Sequence, residues 1–255
     1  MFIRFDQQTQ DSAHRPDAVA VIPLGAVETH GPHLPLGTDG FIAEGLLDRA
    51  QALDKSGASY LRLPLLWLGA SAEHADRAGT LSQEPEELIA AMVNCGAGLA
   101  KCGVKRVVFF NGHGGNVAAA SIAALKLRTR FGMLAASAHW LDFGLPQSVT
   151  PPASVAGDVH GGWIETSVLM HLAPQLVVKD KRAARAASTP APGLFPNGPI
   201  AWGWKLDDLA GGKDGGWIGR PDLATAELGA ALTDHAAESL LALLRDLAAA
   251  PWPQT

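Results

Sequence analysis

Four apolar runs stand out in the first 140 residues, and each ends in glycine or a polar loop. AVAVIPLG (18–25), YLRLPLLWLG (60–69), VKRVVFFNG (104–112) and GMLAASAHW (132–140) are continuous rather than alternating. That pattern predicts strands of a parallel sheet buried on both faces. Helical patterns lie between and after them. Residues 39–52 begin at Thr38 or Asp39, both N-cap types. Residues 84–102 follow TLSQEPEEL, where Ser82, Pro85 and the acids mark a helix start. Residues 116–130 begin at Asn116, 162–172 carry WIETSVLMHL, and the Ala- and Leu-rich 222–249 begin after Pro221. Strand and helix alternating in this way predict βαβ units around a parallel sheet. Ligands of such sheets sit at the carboxyl ends of the strands.

Residues 181–220 break the pattern. They are rich in Ala, Pro and Gly (TPAPGLFPNGPIAWGWK, GGKDGGWIG), yet they hold Trp202, Trp204 and Trp217. Three tryptophans are out of place in a solvated linker. The segment reads as an ordered loop that covers a site as a lid or meets a neighbouring subunit. No internal repeat interrupts the chain, so 1–255 reads as a single domain.

Composition excludes several classes. With 255 residues, 47% hydrophobic and 18% charged, the chain is globular and long enough for a large core. A net charge of −5 and scattered lysines and arginines argue against nucleic acid as the main partner. No stretch approaches the roughly 18 apolar residues of a membrane span. The N-terminal MFIRFDQQTQ has acid and amide residues where a signal peptide needs an apolar centre. Two cysteines, Cys95 and Cys102, fall seven apart on a predicted helix, about two turns and too far for a disulfide. They read as buried thiols of a cytoplasmic protein, not as metal ligands.

Candidate chemistry clusters where the apolar runs end. GAVETHGPHLPLGTDG (25–40) holds Glu28, His30, His33 and Asp39. A Glu and a His one residue apart in an extended loop point to the same side and can reach one ion. Asp39 lies at a helix start, where backbone N–H groups favour a carboxylate. Such a His and carboxylate set suits Zn²⁺, Mn²⁺ or Fe²⁺ and not a thiolate-bound structural zinc. From this motif alone a polar turn capped by Asp39 stays open. NGHGGN (111–116) presents His113 among glycines that permit close approach, without the pattern of a phosphate loop. DVHGGWIETS (158–167) adds His160 and Glu165. A carboxylate on an otherwise apolar helix needs a partner, whether a metal, a cap or a salt bridge.

Together the motifs E-x-H-G-x-H-L-P-x-x-T-D, N-G-H-G-G-N and H-G-G-x-x-E-T-S resemble the creatininase (creatinine amidohydrolase) family. EHADRAGTLS and GWIGRPDLATAELG extend the likeness, which runs from about residue 19 to 230. The resemblance implies a three-layer α/β/α sandwich with a mostly parallel central sheet. It further implies two divalent metal ions (Zn, Mn or Fe) bridged by Asp39, with Glu28 and His113 at one ion and His30 and Glu165 at the other. A metal-bridged hydroxide would attack a C–N amide carbon, and His160 would assist proton transfer to the leaving nitrogen. An ordinary histidine pKa near 6.5 suits that role. His33, His74 and His139 are candidates for orienting a ligand or lining the pocket. His14, His171 and His235 read as surface or helix-face residues.

This chain also departs from creatininase itself. Gly115 stands where creatininase has an acidic residue, and Gly161, Trp163, the RAGT segment and Arg220 differ from common family patterns. These departures argue against creatinine as the substrate and point to the wider family. The implied substrate is a small cyclic amide, a formamide or a short peptide. HGGWIETSVLMHLAPQLV resembles the branch that trims the mycofactocin precursor, making a peptidase of that type an alternative. A metal-bound sensing or scaffold protein without turnover is another. The resemblance also implies a homo-oligomer, with a hexamer favoured.

Overall fold

The computed structural model describes residues 1–152, 157–186, 189, 191, 193–196, 200–210 and 215–252. Its centre is a parallel sheet in the order β1 (Phe2–Arg4), β3 (Tyr60–Arg62), β2 (Val19–Leu24), β4 (Arg106–Asn111), β5 (Leu134–His139). The central strands β2 and β4 are apolar on both faces, and alternate residues feed two cores. Ala20, Ile22, Leu24, Val107 and Phe109 face α2 (Pro85–Lys101) and α3 (Val117–Phe131) through Leu88, Met92, Leu99 and Leu127. Val19, Val21, Val108 and Phe110 face α1 (Thr38–Leu53), α4 (Trp163–Leu172) and α6 (Ala226–Ala249) through Ile42, Leu46, Val168 and Leu240. The result is a three-layer α/β/α sandwich.

Several boundaries differ from the pattern, each for a local reason. The edge strand β1 is only three residues long, too short to register as a periodic run. The 60–69 run is a strand only as far as Arg62, since Pro64 brings no N–H to a ladder. Helix α1 is preceded by Gly37, so Asp39 lies within its first turn and is not its cap. Glu84 and Glu87 form a reciprocal capping box around Pro85 at the start of α2. Helix α6 begins at Ala226 because Pro221–Leu223 makes a separate turn, after which Thr225 Oγ1 accepts the N–H of Leu228 at 3.1 Å.

The cysteines are a correction. Cys95 is only half-buried, and so is Cys102, which falls just beyond the end of α2 at the rim of the core. His14 and His171 are exposed, and His235 on α6 bonds the carbonyl of Phe143 at 3.0 Å. Within 181–220, Trp202 and Trp204 pack on Leu206, Leu209 and Ile218, and Leu206–Ala210 forms α5. The lid or interface reading of this segment falls partly outside the described residues. No helix among those described is long and apolar enough to cross a membrane.

Candidate metal centre

The first two chemical motifs emerge at the carboxyl ends of strands, and the third, with His160 and Glu165, joins them from the turn before α4. The loop after β2 carries Glu28 and His30, a turn after β3 carries His74, β4 leads into His113, and β5 ends at His139. Two asparagines lock these ends together. Asn111 Oδ1 accepts the N–H of His113 at 3.1 Å, and its Nδ2 donates to the His113 carbonyl at 2.6 Å. Asn116 Nδ2 donates to the Gly25 carbonyl at 3.0 Å, while its Oδ1 accepts the N–H of Ala70 at 2.9 Å. Asn116 therefore ties the loops after β2 and β3 to the start of α3 and does not cap that helix. Gly112 must be glycine, because a β-carbon there would lie 2.4 Å from the Asp39 carbonyl oxygen.

Six predicted residues converge and are almost wholly buried: Glu28, His30, Asp39, His113, His160 and Glu165. Asp39 presents one oxygen to each of two rings, with Oδ1 3.3 Å from His30 Nε2 and Oδ2 3.5 Å from His113 Nδ1. Glu28 Oε1 lies 3.3 Å from His113 Nδ1, 3.5 Å from His74 Nε2, 3.7 Å from His160 Nδ1 and 4.0 Å from His30 Nε2. Three of these rings commit their other nitrogen to a backbone carbonyl. His30 Nδ1 donates to Glu28 O at 3.2 Å, His113 Nε2 to Ala70 O at 3.1 Å and His160 Nε2 to Thr29 O at 2.6 Å. Those bonds turn the remaining nitrogen of each ring toward the carboxylates, the arrangement that orients histidines at metals. Both carboxylate oxygens of Glu28, Oδ2 of Asp39 and Nε2 of His30 have no hydrogen-bond partner. Ring nitrogens and carboxylate oxygens buried against one another need a proton or a metal cation between them.

With no ion bound, protons on two of the rings fill that role. Burial alone would push the Glu28 carboxyl up, yet the His113 and His74 imidazoles hold it well below the usual carboxylate range. Burial would depress His30 and His113, but Asp39 lifts His30 to about 9 and Glu28 lifts His113 to about 10. Burial pushes His74 down to about 4 and His160 well below its ordinary value, so both rings are neutral. Glu165 is raised by burial to about 7. Ligand atoms fall into three groupings spanning at most 4.8 Å: His30–Asp39–Glu165, Glu28–Glu73–His113 and Glu28–His30–His160. The residues fit a divalent cation.

The chain matches the creatininase family profile (creatinine amidohydrolase) over residues 6–244. It belongs to the creatininase family. Over 215 residues it is 37% identical to the mycofactocin precursor peptide peptidase of Mycobacterium tuberculosis, covering 82% of this chain and 77% of that one. Over 201 residues it is 28% identical to the creatinine amidohydrolase of Pseudomonas putida, covering 72% and 75%. A solved creatininase superposes with a TM-score of 0.76 at 24% identity, covering 96% of this chain and 97% of that one. Membership makes the chain a metal-dependent hydrolase of the amidohydrolase and peptidase type.

The three remaining histidines have distinct places in this creatininase-family site. His74 joins the cluster directly, stacked on His160 with ring centroids 4.2 Å apart. His33 stands back from it. Its Nε2 donates to the Gly161 carbonyl at 2.9 Å, and Gly161 N–H in turn donates to Glu165 Oε2 at 2.6 Å. His33 thus braces the turn that aims Glu165. His139 donates from Nδ1 to Asn111 O at 3.1 Å and lines the cleft. The sequence pattern did not single out Glu73, Asn111, Asn116 or Asp158. Glu73 carried a signal, since it directly precedes His74 in the EHADRAGTLS motif. Above the cluster lies a cavity of about 510 Å³ walled by Glu73, His139, Trp202 and Trp204. It shares His139, His160 and Trp202 with a second cavity of about 810 Å³ that runs toward Val117, Leu145 and Leu232.

Proposed function

We propose that this chain is a dinuclear-metal-dependent amidohydrolase that cleaves a C–N amide bond of a short peptide. Small cyclic amides and formamides are the other substrates of this class. The observation that carries the reading is Asp39, whose two oxygens divide between His30 and His113 beside the unpartnered, fully buried carboxylate of Glu28. Glu28 and His113 would hold one divalent ion, His30 and Glu165 a second, and Asp39 both. Zinc, manganese and iron all suit these ligands. Such ions supply Lewis acidity and lower the pKa of water at the site.

The chain's own groups supply the rest. The bond to Thr29 O fixes the proton of His160 on Nε2 and leaves Nδ1 as its basic nitrogen. Burial keeps the ring neutral and so free to accept a proton, while making it a weaker base than an ordinary histidine; returning that proton to a leaving nitrogen is the role proposed for it. The two joined cavities favour an extended substrate over one as compact as creatinine, and the 37% identical mycofactocin precursor peptide peptidase supports a peptide. Trp67, Leu68 and Leu81, exposed at 44%, 45% and 57%, are apolar surface of the kind a neighbouring subunit covers, which supports a homo-oligomer.

The test combines metal analysis with hydrolysis of a panel of short peptides and small amides. Wild type is expected to carry two divalent ions per chain and to cleave a peptide amide. Glu28→Ala should lose metal and turnover together, whereas His160→Ala should keep its metal and lose about 10²–10⁴-fold in kcat. Purified protein that holds no divalent ion and gains none on incubation overturns the reading. Two bound ions with no amide cleaved would instead favour a metal-bound sensor or scaffold.

A further inference from the structure

The five ligands of the proposed centre leave one nearby carboxylate unused. Glu73 lies in the short 3-10 turn Ala72–His74, so it and its neighbour His74 reach the cluster from the loop after β3. His74 Nε2 approaches Glu28 Oε1 at 3.5 Å, and Glu73 Oε1 lies 3.4 Å from His113 Nε2, on the ring edge next to the Nδ1 that faces Glu28 and Asp39. The Glu73 side chain is 15% exposed and forms part of the 510 Å³ cavity wall, so it stands between the buried ligands and the open cleft. Ligand atoms of Glu28, Glu73 and His113 all fall within 4.8 Å of one another, as tight a grouping as His30–Asp39–Glu165.

Gly115 shows that this placement is built in. A β-carbon there would lie 2.7 Å from Glu73 Oε1, 2.5 Å from His113 Nε2 and 2.3 Å from the Ala70 carbonyl oxygen. Any side chain at position 115 would therefore displace the Glu73 carboxylate. The bare backbone at 115 therefore leaves room for the Glu73 carboxylate beside His113.

We infer that Glu73 is a further metal ligand, the loop-borne carboxylate of the ion that Glu28 and His113 hold. It would complete that ion's protein shell from the cleft side, where Glu165 does the same for the ion held by His30. Each ion then has one imidazole, the shared Asp39 and one carboxylate of its own besides Glu28. The inference rests on the metal reading above, and the experiment separates the two.

Apoprotein of wild type, Glu73→Gln, Glu73→Asp and Glu165→Gln is titrated with Co²⁺, following bound cobalt per chain and its visible absorption. Far-UV circular dichroism checks that each variant is folded. Wild type is expected to take up two ions. Glu73→Gln should lose one, or bind it about 100-fold more weakly, the upper end of the effect of removing a group that only orients a ligand. Its absorption band should change in position. Glu73→Asp should recover part of the loss, and Glu165→Gln should perturb the other ion's band. Two tightly bound ions with a wild-type spectrum in Glu73→Gln overturn the role of Glu73 and leave the metal reading standing. A wild-type protein that takes up no cobalt overturns the metal reading itself.

Discussion

The two walls of the cleft are built differently. On one side Glu28, His30, Asp39 and His113 stand at the ends of β2 and β4 and the start of α1, tied down by Asn111 and Asn116 inside a fully buried frame. On the other side His160 and Glu165 share their wall with Trp202 and Trp204 from a glycine-rich segment. Its anchors are a short backbone bridge between His160 and Ile218 (3.0 and 2.7 Å), the half-buried Asp158 and exposed ion pairs. A metal cluster needs fixed ligand spacing, which strand ends provide. A cleft that admits a substrate needs a wall that can yield, which a loop segment provides. The difference gives most of the ligands to the fixed wall and access to the other, with Glu165 at the border.

Breaking the rigid wall should have the larger effect. Asn116→Ala leaves the Gly25 carbonyl and the Ala70 N–H buried without partners and opens a small void. The expected cost is about 2–4 kcal/mol, or roughly 5–15 °C in melting temperature for a chain of this size. Metal content should fall with it, because Gly25 and Ala70 lead directly into the Glu28 and His74 loops. Thermal melts with and without added metal measure both. A shift below about 1 kcal/mol with full metal retention would show that the strand ends hold themselves in place.

That asparagine also marks how far the sequence could be read. β2 and β4 were visible because runs of six and five consecutive apolar or buried residues leave a local trace, and β1 was not because three do not. Glu28, His30 and Asp39 sit together in a motif whose spacing already speaks of an ion. Asn116 bonds Ala70 and Gly25, residues 46 and 91 positions away, and no local pattern announces such a bond. Glu73 lay in a motif that was visible, but its place beside His113 depends on the β-carbon that Gly115 lacks. What the sequence left unread was the packing of one loop against another.

The yielding wall can be probed through Asp158. Burial raises its carboxyl to about 6, opposed by N–H bonds from Arg220 at 2.9 Å and Trp163 at 3.1 Å. A raised carboxyl pKa means that the neutral form is preferred in the fold. Its stabilising contribution is present below about pH 4, the unfolded value, and is lost as pH rises through about 6. Asp158→Asn is neutral throughout, so the stability of wild type relative to this variant should decline by about 2 kcal/mol between pH 4.5 and 7.5. Urea unfolding at the two pH values measures it. A constant difference would mean that Asp158 ionises in the fold as freely as in the unfolded chain.

The smallest effect belongs to the outermost anchors. Lys205 Nζ meets Asp76 at 2.6 Å and Arg77 meets Asp207, linking the turn that bears Glu73 and His74 to the segment that bears Trp202 and Trp204. Lys205 and Asp76 are largely exposed, at 60% and 68%, so salt screens the pair and its contribution to global stability is slight. Its effect should appear locally. In 0.5 M NaCl, or in Lys205→Ala at low salt, amide exchange over 202–209 should speed up by roughly 3-fold, the scale of a weak exposed pair. Exchange over 19–24 and 106–111 should not change, because no part of the pair reaches those strands. If both regions accelerate together, the two walls open as one unit and the division between a fixed ligand frame and a yielding cover fails. If only 202–209 responds, ionic strength tunes access to the cleft without disturbing the residues that would hold metal.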